Sequence, residues 1–440
     1  MAFSIHGIHV PHRKNTKDKP VVRMTPPQSV VLPMSMHIGK PATLIAKVGD
    51  EVKVGTKIAE AGGPLSAPIH ASVSGKITKI RDVLLSSGAT SPAVVIESDG
   101  LMTPDETLTP PVINNQEDLI NAVRESGSVG MGGAGFPTHV KLNVDPKRIE
   151  HLVINCAECE PYITSDSYTM VARRDDMAYA LNVLKKILGL KSIVIGIESN
   201  KKAAIESMKK LMLETMEGCN VQIKVLPSIY PQGGEKVLVY NTTGKIIPMG
   251  KLPIDVGCIV LNCTTIAFLG SYFRTGMPLV EKCVTVDGGS VKEPQTVIAP
   301  IGSSMEDLFG FCGGFTTEPV KLLYGGPMMG ISVPDVSAPV LKQTNAILAL
   351  TAKEAKTPKT THCISCGSCI NVCPFGLAPV DIAYAFDHKD AAALDELKVN
   401  ACMECGCCSF VCPANRPLVQ NNKMSKIFLR EEKAKEDAKA

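Results

Sequence analysis

The chain runs to 440 residues, too many for one hydrophobic core, so about three folded units are expected. Its 46 basic and 43 acidic residues leave a formal net charge of +3, which argues against a basic face and against nucleic acid as a partner. Aromatics are only 4% and Trp is absent, while 36 Gly and 31 Pro suit short elements joined by loops better than a helical bundle. The first residues, MAFSIHGIHVPHRK, show no apolar stretch before a small-residue cleavage site, and nowhere do about 18 apolar residues follow one another, so the chain reads as cytoplasmic and soluble. In that compartment its 16 cysteines point to metal ligation over disulfides.

Residues 30–98 alternate short apolar runs with Gly-Asp and Gly-Lys turns, which predicts short antiparallel strands. The two halves of this stretch resemble the flattened barrel of lipoyl and biotinyl carrier domains. The carrier lysine is replaced at the turn by Leu65-Ser66-Ala67-Pro68, which leaves a structural barrel within residues 1–105. A Pro-rich linker at 103–112 follows. From 115 the rhythm becomes α/β: a helix from Asn115 to Ser126, a strand at 149–155, a helix from Tyr168 to Leu188, a strand at 191–197, a helix from Lys201 to Glu217, and strands at 221–228 and 257–262. Residues 280–330 mix strands with one short helix, as in a small α+β module. A charged helical tail closes the chain.

Two cysteine runs share one spacing. The first is Cys363, Cys366, Cys369 and Cys373 followed by Pro374; the second is Cys402, Cys405, Cys408 and Cys412 followed by Pro413. This is the bacterial ferredoxin pattern, in which three thiolates of a run hold one [4Fe–4S] cluster and the fourth reaches the other. Cys363, Cys366, Cys369 and Cys412 are therefore assigned to one cluster, and Cys402, Cys405, Cys408 and Cys373 to the second. Cys407 breaks the spacing and is left out. Paired zinc ribbons also use C-x-x-C, but they lack the third cysteine and the Cys-Pro ending. The scattered Cys219, Cys258, Cys263, Cys283 and Cys312 read as buried small hydrophobes.

Gly130, Gly132 and Gly135 form a G-x-G-x-x-G, with Gly133 between them, but a helix-like segment precedes it where a dinucleotide turn needs a strand. What such a run can do is bring backbone N–H groups close to a flat ring or a phosphate, with Lys141 supplying a nearby cation. Three further loops follow predicted strands: 155–162 with Asn155, Glu158 and Glu160; 230–236 with Tyr230, Gly233, Gly234 and Glu235; and 262–265 with Asn262 and Thr265. At the carboxyl ends of parallel strands, four such loops would line one crevice. Cys156 and Cys159 sit among acidic residues that raise thiol pKa, and they read as non-redox.

The start SIHGIHVPHRK, the loop GMGGAGFPTHVKL, NCAECEPYITSD, YPQGGEK and the doubled ferredoxin motif, in this order, resemble the C subunit of the Rnf complex, an ion-pumping ferredoxin:NAD oxidoreductase of membranes. The α/β portion is similar to the flavin- and NADH-binding subunit of respiratory complex I. The resemblance implies a multidomain α/β and α+β protein: a barrel-sandwich domain at 1–105, a Rossmann-like domain at 115–250 for non-covalent FMN and NAD(H), a β-grasp SLBB-like module at 253–335, a ferredoxin-like domain with two [4Fe–4S] clusters at 355–422, and a charged tail at 423–440. It further implies that the four glycines approach FMN, that Lys141 meets its phosphate or ring edge, that Asn155, Asn262, Tyr230, Gly233, Gly234 and Thr265 line the site, and that Glu158, Glu160 and Glu235 lie at the FMN and nicotinamide nucleotide edge. Implied partners are membrane-spanning Rnf subunits and a ferredoxin-like iron–sulfur subunit at the cytoplasmic face. Two departures stand out: the family often has a small residue at the place of Cys156, and the long Ala-rich extension of some members does not follow residue 440. Two rivals are a cobalamin reductase sharing these modules in another arrangement, and a non-catalytic electron relay.

Overall fold

A computed structural model describes residues 7–437. Residues 1–6, which open the barrel unit and the family-like start, and 438–440, which end the charged tail, lie outside the described residues. Strands Ser29–Pro33, Glu51–Val52, Gly75–Leu84 and Thr90–Ser98 form one antiparallel sheet, and Thr43–Leu44, Lys57–Glu60 and Ile69–His70 a second. Alternation turns Val30, Leu32, Ile58, Ile69, Ile77 and Ile96 into the space between them, where all are buried. The turn that carries the lysine of carrier domains is not a free tip here. Ser66 and Ala67 are buried and the Pro68 carbonyl accepts from Lys342, so the turn is a docking element.

Strands His151–Cys156, Ser192–Glu198, Asn220–Leu226 and Cys258–Asn262 make a parallel sheet. The chain proceeds outward from the first strand to the second and third, then returns to place Cys258–Asn262 on the other side of His151–Cys156. That reversal is a topological switch point, and Asn155 and Asn262 are register partners at its carboxyl end. The predicted helix from Tyr168 to Leu188 is two helices, Ser165–Ala172 and Arg174–Leu188, broken at Arg173. Three helices of the α/β portion escaped the sequence reading, the shortest being Thr138–Leu142 directly after the Gly-rich loop. Glu235–Thr243 follows the YPQGG loop, and Cys263–Thr275 begins directly at Asn262, whose side chain accepts from the Thr264 N–H as N-cap. Residues 253–275 therefore complete the α/β layer, not the β-grasp module to which they were assigned. Helix Cys263–Thr275 packs on Arg174–Leu188 so closely that a Cβ on Gly270 would lie 1.8 Å from the Asp176 carbonyl oxygen.

The β-grasp sheet runs past the predicted boundary at 335. Glu281–Asp287, Gln295–Pro300, Lys321–Tyr324, Ile331–Val333 and Ala346–Leu350 are joined by Val22–Arg23 from the N-terminal arm, which pairs parallel to Gln295–Pro300. In the last domain, helices Ser368–Asn371 and Cys407–Phe410 follow the two C-x-x-C-Gly turns. The tail does not start at 423. One helix, Leu418–Asp437, buries Leu418, Asn422, Ser425 and Leu429 against the cluster domain, at the helical spacing that forms a single stripe.

Since backbone cannot yield as a side chain does, Gly270→Ala should destabilise the α/β layer by about 2 kcal/mol or more. Its thermal midpoint, followed by circular dichroism, should fall by several degrees relative to the parent chain.

Candidate functional site

The Gly-rich loop lies over the switch point. Its turn closes on itself, with Gly130 N donating to Phe136 O at 2.8 Å and Gly135 N to Gly130 O at 3.1 Å. The Met131 N–H donates to Thr265 Oγ1 at 3.1 Å, which seats the loop on the first turn of helix Cys263–Thr275. Gly132 lies against Asn262, which a Cβ would approach to 3.0 Å, while Gly133 has φ +122° and open space where its Cβ would stand. An L side chain at 133 is both strained and aimed into the cradle. Asn262 is itself held by Asp166, to whose Oδ2 it donates at 2.9 Å; Thr264 donates to Oδ1 at 2.7 Å. Burial, with the Glu158 charge beside it, pushes the Asp166 carboxyl up.

Lys141 does not project as a free cation. Its Nζ donates to Glu235 Oε2 at 2.6 Å and to Val260 O at 3.2 Å, so two residues expected at the flavin edge hold each other. Glu235 keeps 40% of its side chain exposed. Asn155 ties two loops together, its Nδ2 donating to Gly233 O at 2.9 Å and its Oδ1 accepting from Ala157 N at 3.1 Å. Gly233 must be bare because a Cβ would meet Ala157 O at 2.7 Å.

The acidic loop is corrected more deeply. Glu158 is not at a nucleotide edge: it is buried and accepts from Asp166 N, Ser167 N, Ser167 Oγ and the ammonium of Lys201, with Lys14 Nζ at 3.5 Å. Burial pushes its carboxyl up, but Lys201 and Lys14 outweigh this and hold it below the ordinary range. Lys14 also donates to the carbonyls of Glu158 (2.9 Å), Glu160 (3.1 Å) and Ile163. Glu160 turns the other way and accepts the N–H groups of Met328 (3.1 Å) and Met329 (2.8 Å), which links it to the β-grasp module. Burial raises its carboxyl to about 7. Cys159 accepts from Gly233 N at 3.3 Å, and burial, then the Glu198 charge, pushes its thiol up.

The two cysteine runs have matching local geometry. Ser365 and Glu404 both adopt positive φ, and their N–H groups reach Cys363 Sγ and Cys402 Sγ, each at 3.4 Å. Cys373 from the first run lines one cavity with Cys402, Cys405 and Cys408 from the second. Cys369 packs in one apolar group with Cys412. Cys407 lines the same cavity, and Cys408 packs in the same apolar group as Cys369, so the two runs interleave closely. Cys407 points its thiol toward Tyr230 O at 3.9 Å. The runs differ in surroundings: Cys363 and Cys366 are exposed, whereas Cys405 and Cys408 are buried. Tyr230, fully buried, donates its hydroxyl to Cys405 O at 2.7 Å, and Met403 occupies the hollow left by Gly234, where a Cβ would come within 2.2 Å of its methyl group. Neither Tyr230 nor Gly234 therefore opens onto the cradle; both meet the cluster domain.

Comparison with known families divides the chain in the same order. The RnfC barrel sandwich hybrid domain matches residues 3–101, the Nuo51 FMN-binding domain 123–270, the SLBB domain 283–332 and the 4Fe-4S binding domain 359–377. The C subunit of the Na(+)-translocating ferredoxin:NAD(+) oxidoreductase complex of Acetobacterium woodii is 41% identical over 384 residues, 86% of this chain and 86% of that one. The chain belongs to the RnfC family. The C subunit of the proton-translocating complex of Clostridium ljungdahlii is 40% identical over 85% of this chain and 82% of its own length, and that of the ion-translocating oxidoreductase complex of Rhodobacter capsulatus is 40% identical over 99% and 85%. FMN and [4Fe–4S] clusters are the cofactors of an RnfC chain with these domains. The residues fit them: Gly133 faces open space in the glycine-rich loop at the switch point, and Cys373, Cys402, Cys405, Cys407 and Cys408 line one cavity.

The sequence reading missed Lys14, Asp166, Lys201 and Lys282. A signal existed for Lys282, a charge on the face of strand Glu281–Asp287 that Val284 and Val286 also occupy. None marked Lys14 or Lys201, whose partners are 144 and 43 residues away.

Two outcomes test the site. Cys412→Ser should lose the same cluster signal as Cys363→Ser in electron paramagnetic resonance and retain about half the iron, while Cys407→Ala keeps it all. Gly133→Val should lose its flavin, read by absorbance after gel filtration, with iron content unchanged because the sites share no partners.

Proposed function

We propose that this chain is the NAD(H)-reacting subunit of a membrane-bound, ion-translocating ferredoxin:NAD oxidoreductase. The observation that carries the reading is the contact between the YPQGG loop and the inner cysteine set: one loop borders the flavin domain through Gly233 and the cluster domain through Tyr230 and Gly234. FMN, when bound, converts between hydride exchange with NAD(H) and single-electron exchange with the clusters, which is the chemistry a link between ferredoxin and NAD needs.

The chain's own part is placement. Thr265 and Asn262 seat the glycine loop at the strand ends, where buried Met131 and Gly135 close its inner side against water. Glu235, half-exposed beside Lys141, is the acidic group we place toward the nicotinamide nucleotide. No protein proton donor is required, since hydride moves with its electrons. Tyr230 and Met403 keep the set Cys373, Cys402, Cys405 and Cys408 against the flavin domain, which makes it the inner cluster. The exposed Cys363 and Cys366 make the other set the outer one, facing a one-electron partner. Among the described residues no helix is long and apolar enough to cross a membrane. We place the chain at the cytoplasmic face as a peripheral subunit, held by membrane-spanning subunits and a ferredoxin-like iron–sulfur subunit.

Anaerobically purified protein should show flavin bands that bleach with NADH; their absence would overturn the reading. Tyr230→Phe removes the donor to Cys405 O and leaves that carbonyl unpaired, at a cost of about 1–3 kcal/mol to the contact. Its flavin content and NADH-dependent ferricyanide reduction should persist, while cluster reduction by NADH, followed by stopped-flow absorbance, slows severalfold.

A further inference from the structure

Met131 is gripped from two domains. Its N–H donates to Thr265 Oγ1 of the α/β layer, and its carbonyl accepts from Lys282 Nζ at 3.1 Å. Lys282 comes from strand Glu281–Asp287 of the β-grasp sheet and is 2% exposed. Burying an ammonium is costly unless it is paired and hydrogen-bonded. Among the described residues the Met131 carbonyl is its one hydrogen-bond acceptor, and the nearby Asp166 carboxylate supplies the opposing charge. Burial lowers the ammonium to about 8 even so.

The consequence follows from the peptide plane. The Met131–Gly132 bond is trans, so the Met131 carbonyl and the Gly132 N–H point in opposite directions. A carbonyl drawn inward to Lys282 aims the Gly132 N–H outward, toward the open side of the cradle. Gly132, Gly133 and Ala134 are exposed, and their N–H groups donate to no acceptor among the described residues, in contrast to those of Gly130, Met131 and Gly135. Three successive free N–H groups make a concavity suited to anionic or carbonyl oxygens.

We propose that Lys282 is a positioning residue for the flavin: through the Met131 carbonyl it fixes the Gly132 N–H, first of a row of three, toward acceptor oxygens of the bound FMN. The β-grasp module thereby shapes the flavin site without touching the flavin. This rests on the flavin reading above, and the two fail separately. Deflavinated protein is titrated with FMN by fluorescence quenching, with melting temperature and iron content recorded alongside. Lys282→Met, close in volume, should weaken FMN binding by between about tenfold and a hundredfold, the worth of one well-aimed hydrogen bond to a charged group. Lys282→Gln, which keeps an N–H donor, should recover part of that loss. FMN affinity unchanged in Lys282→Met, with Gly133→Val still unable to bind, would overturn the proposal and leave the cradle standing. Should Lys282→Met lose its iron or melt early, the decision passes to Lys282→Leu, which also lacks a donor: weakened binding at parental melting temperature supports positioning, and parental affinity overturns it. Parent protein that takes up no FMN would instead overturn the flavin reading.

Discussion

The glycines at 130, 132, 133 and 135 strip their loop of the side chains that would hold its shape. Glycine gives up the most conformational freedom on folding, so a cradle built this way must be fixed from outside. The α/β layer contributes Thr265 to the Met131 N–H, the β-grasp sheet contributes Lys282 to the Met131 carbonyl, and the barrel contributes Ile38, whose N–H donates to Gly135 O at 3.0 Å. Gln343 closes the remaining side against Gly135. The loop's own domain and two others thus converge on six residues, and the barrel without a carrier lysine contributes a backbone brace through Ile38. The turn that lacks the lysine is also part of the brace: buried Lys342 donates to Pro68 O and, at 2.8 Å, to Gly127 O just ahead of the loop.

The second constraint is a group of buried charges under the acidic loop. Glu158, Lys201 and Lys14 meet with almost no exposure, an arrangement whose desolvation cost is offset only by complete hydrogen bonding. Glu158 accepts from the Asp166 and Ser167 backbone, the Ser167 hydroxyl and Lys201, and Lys14 spends its donors on loop carbonyls. Removing Glu158 would leave two buried ammonium groups facing each other, and the group fastens the N-terminal arm across the α/β domain. The arm continues the same task at both ends: Ile8 and Tyr230 exchange backbone bonds, and Val22–Arg23 joins the β-grasp sheet.

Legibility followed the range of the physics. The cysteine runs were readable because cluster ligation is set by spacing within about a dozen residues, and the parallel strands because their apolar runs are local. The helix Cys263–Thr275 was not, since its start is an Asn that equally opens a turn, and its apolar face is nearly continuous with the strand before it. The acidic residues illustrate the limit best. Glu158 and Glu160 are two positions apart in one motif, yet one is neutralised by lysines from distant segments and the other turns to backbone N–H groups of the β-grasp module. Lys141 and Glu235 each suited a ligand; only tertiary structure shows that they suit each other.

The cluster domain shows the same principle acting on a repeat. Both runs have the same spacing, the same positive-φ residue two positions after the first cysteine, and the same N–H to thiol contact. Within the runs, Cys407 stands where the first run has Ser368 and turns its thiol toward Tyr230 O. The difference in setting comes from Tyr230 and Gly234, which belong to another domain and engage Met403 and Cys405 of the second run. The equivalent positions of the first run are Ile364 and Cys366, and both are exposed. A duplicated motif thus acquires two different settings, one buried against another domain and one exposed, from where it is docked.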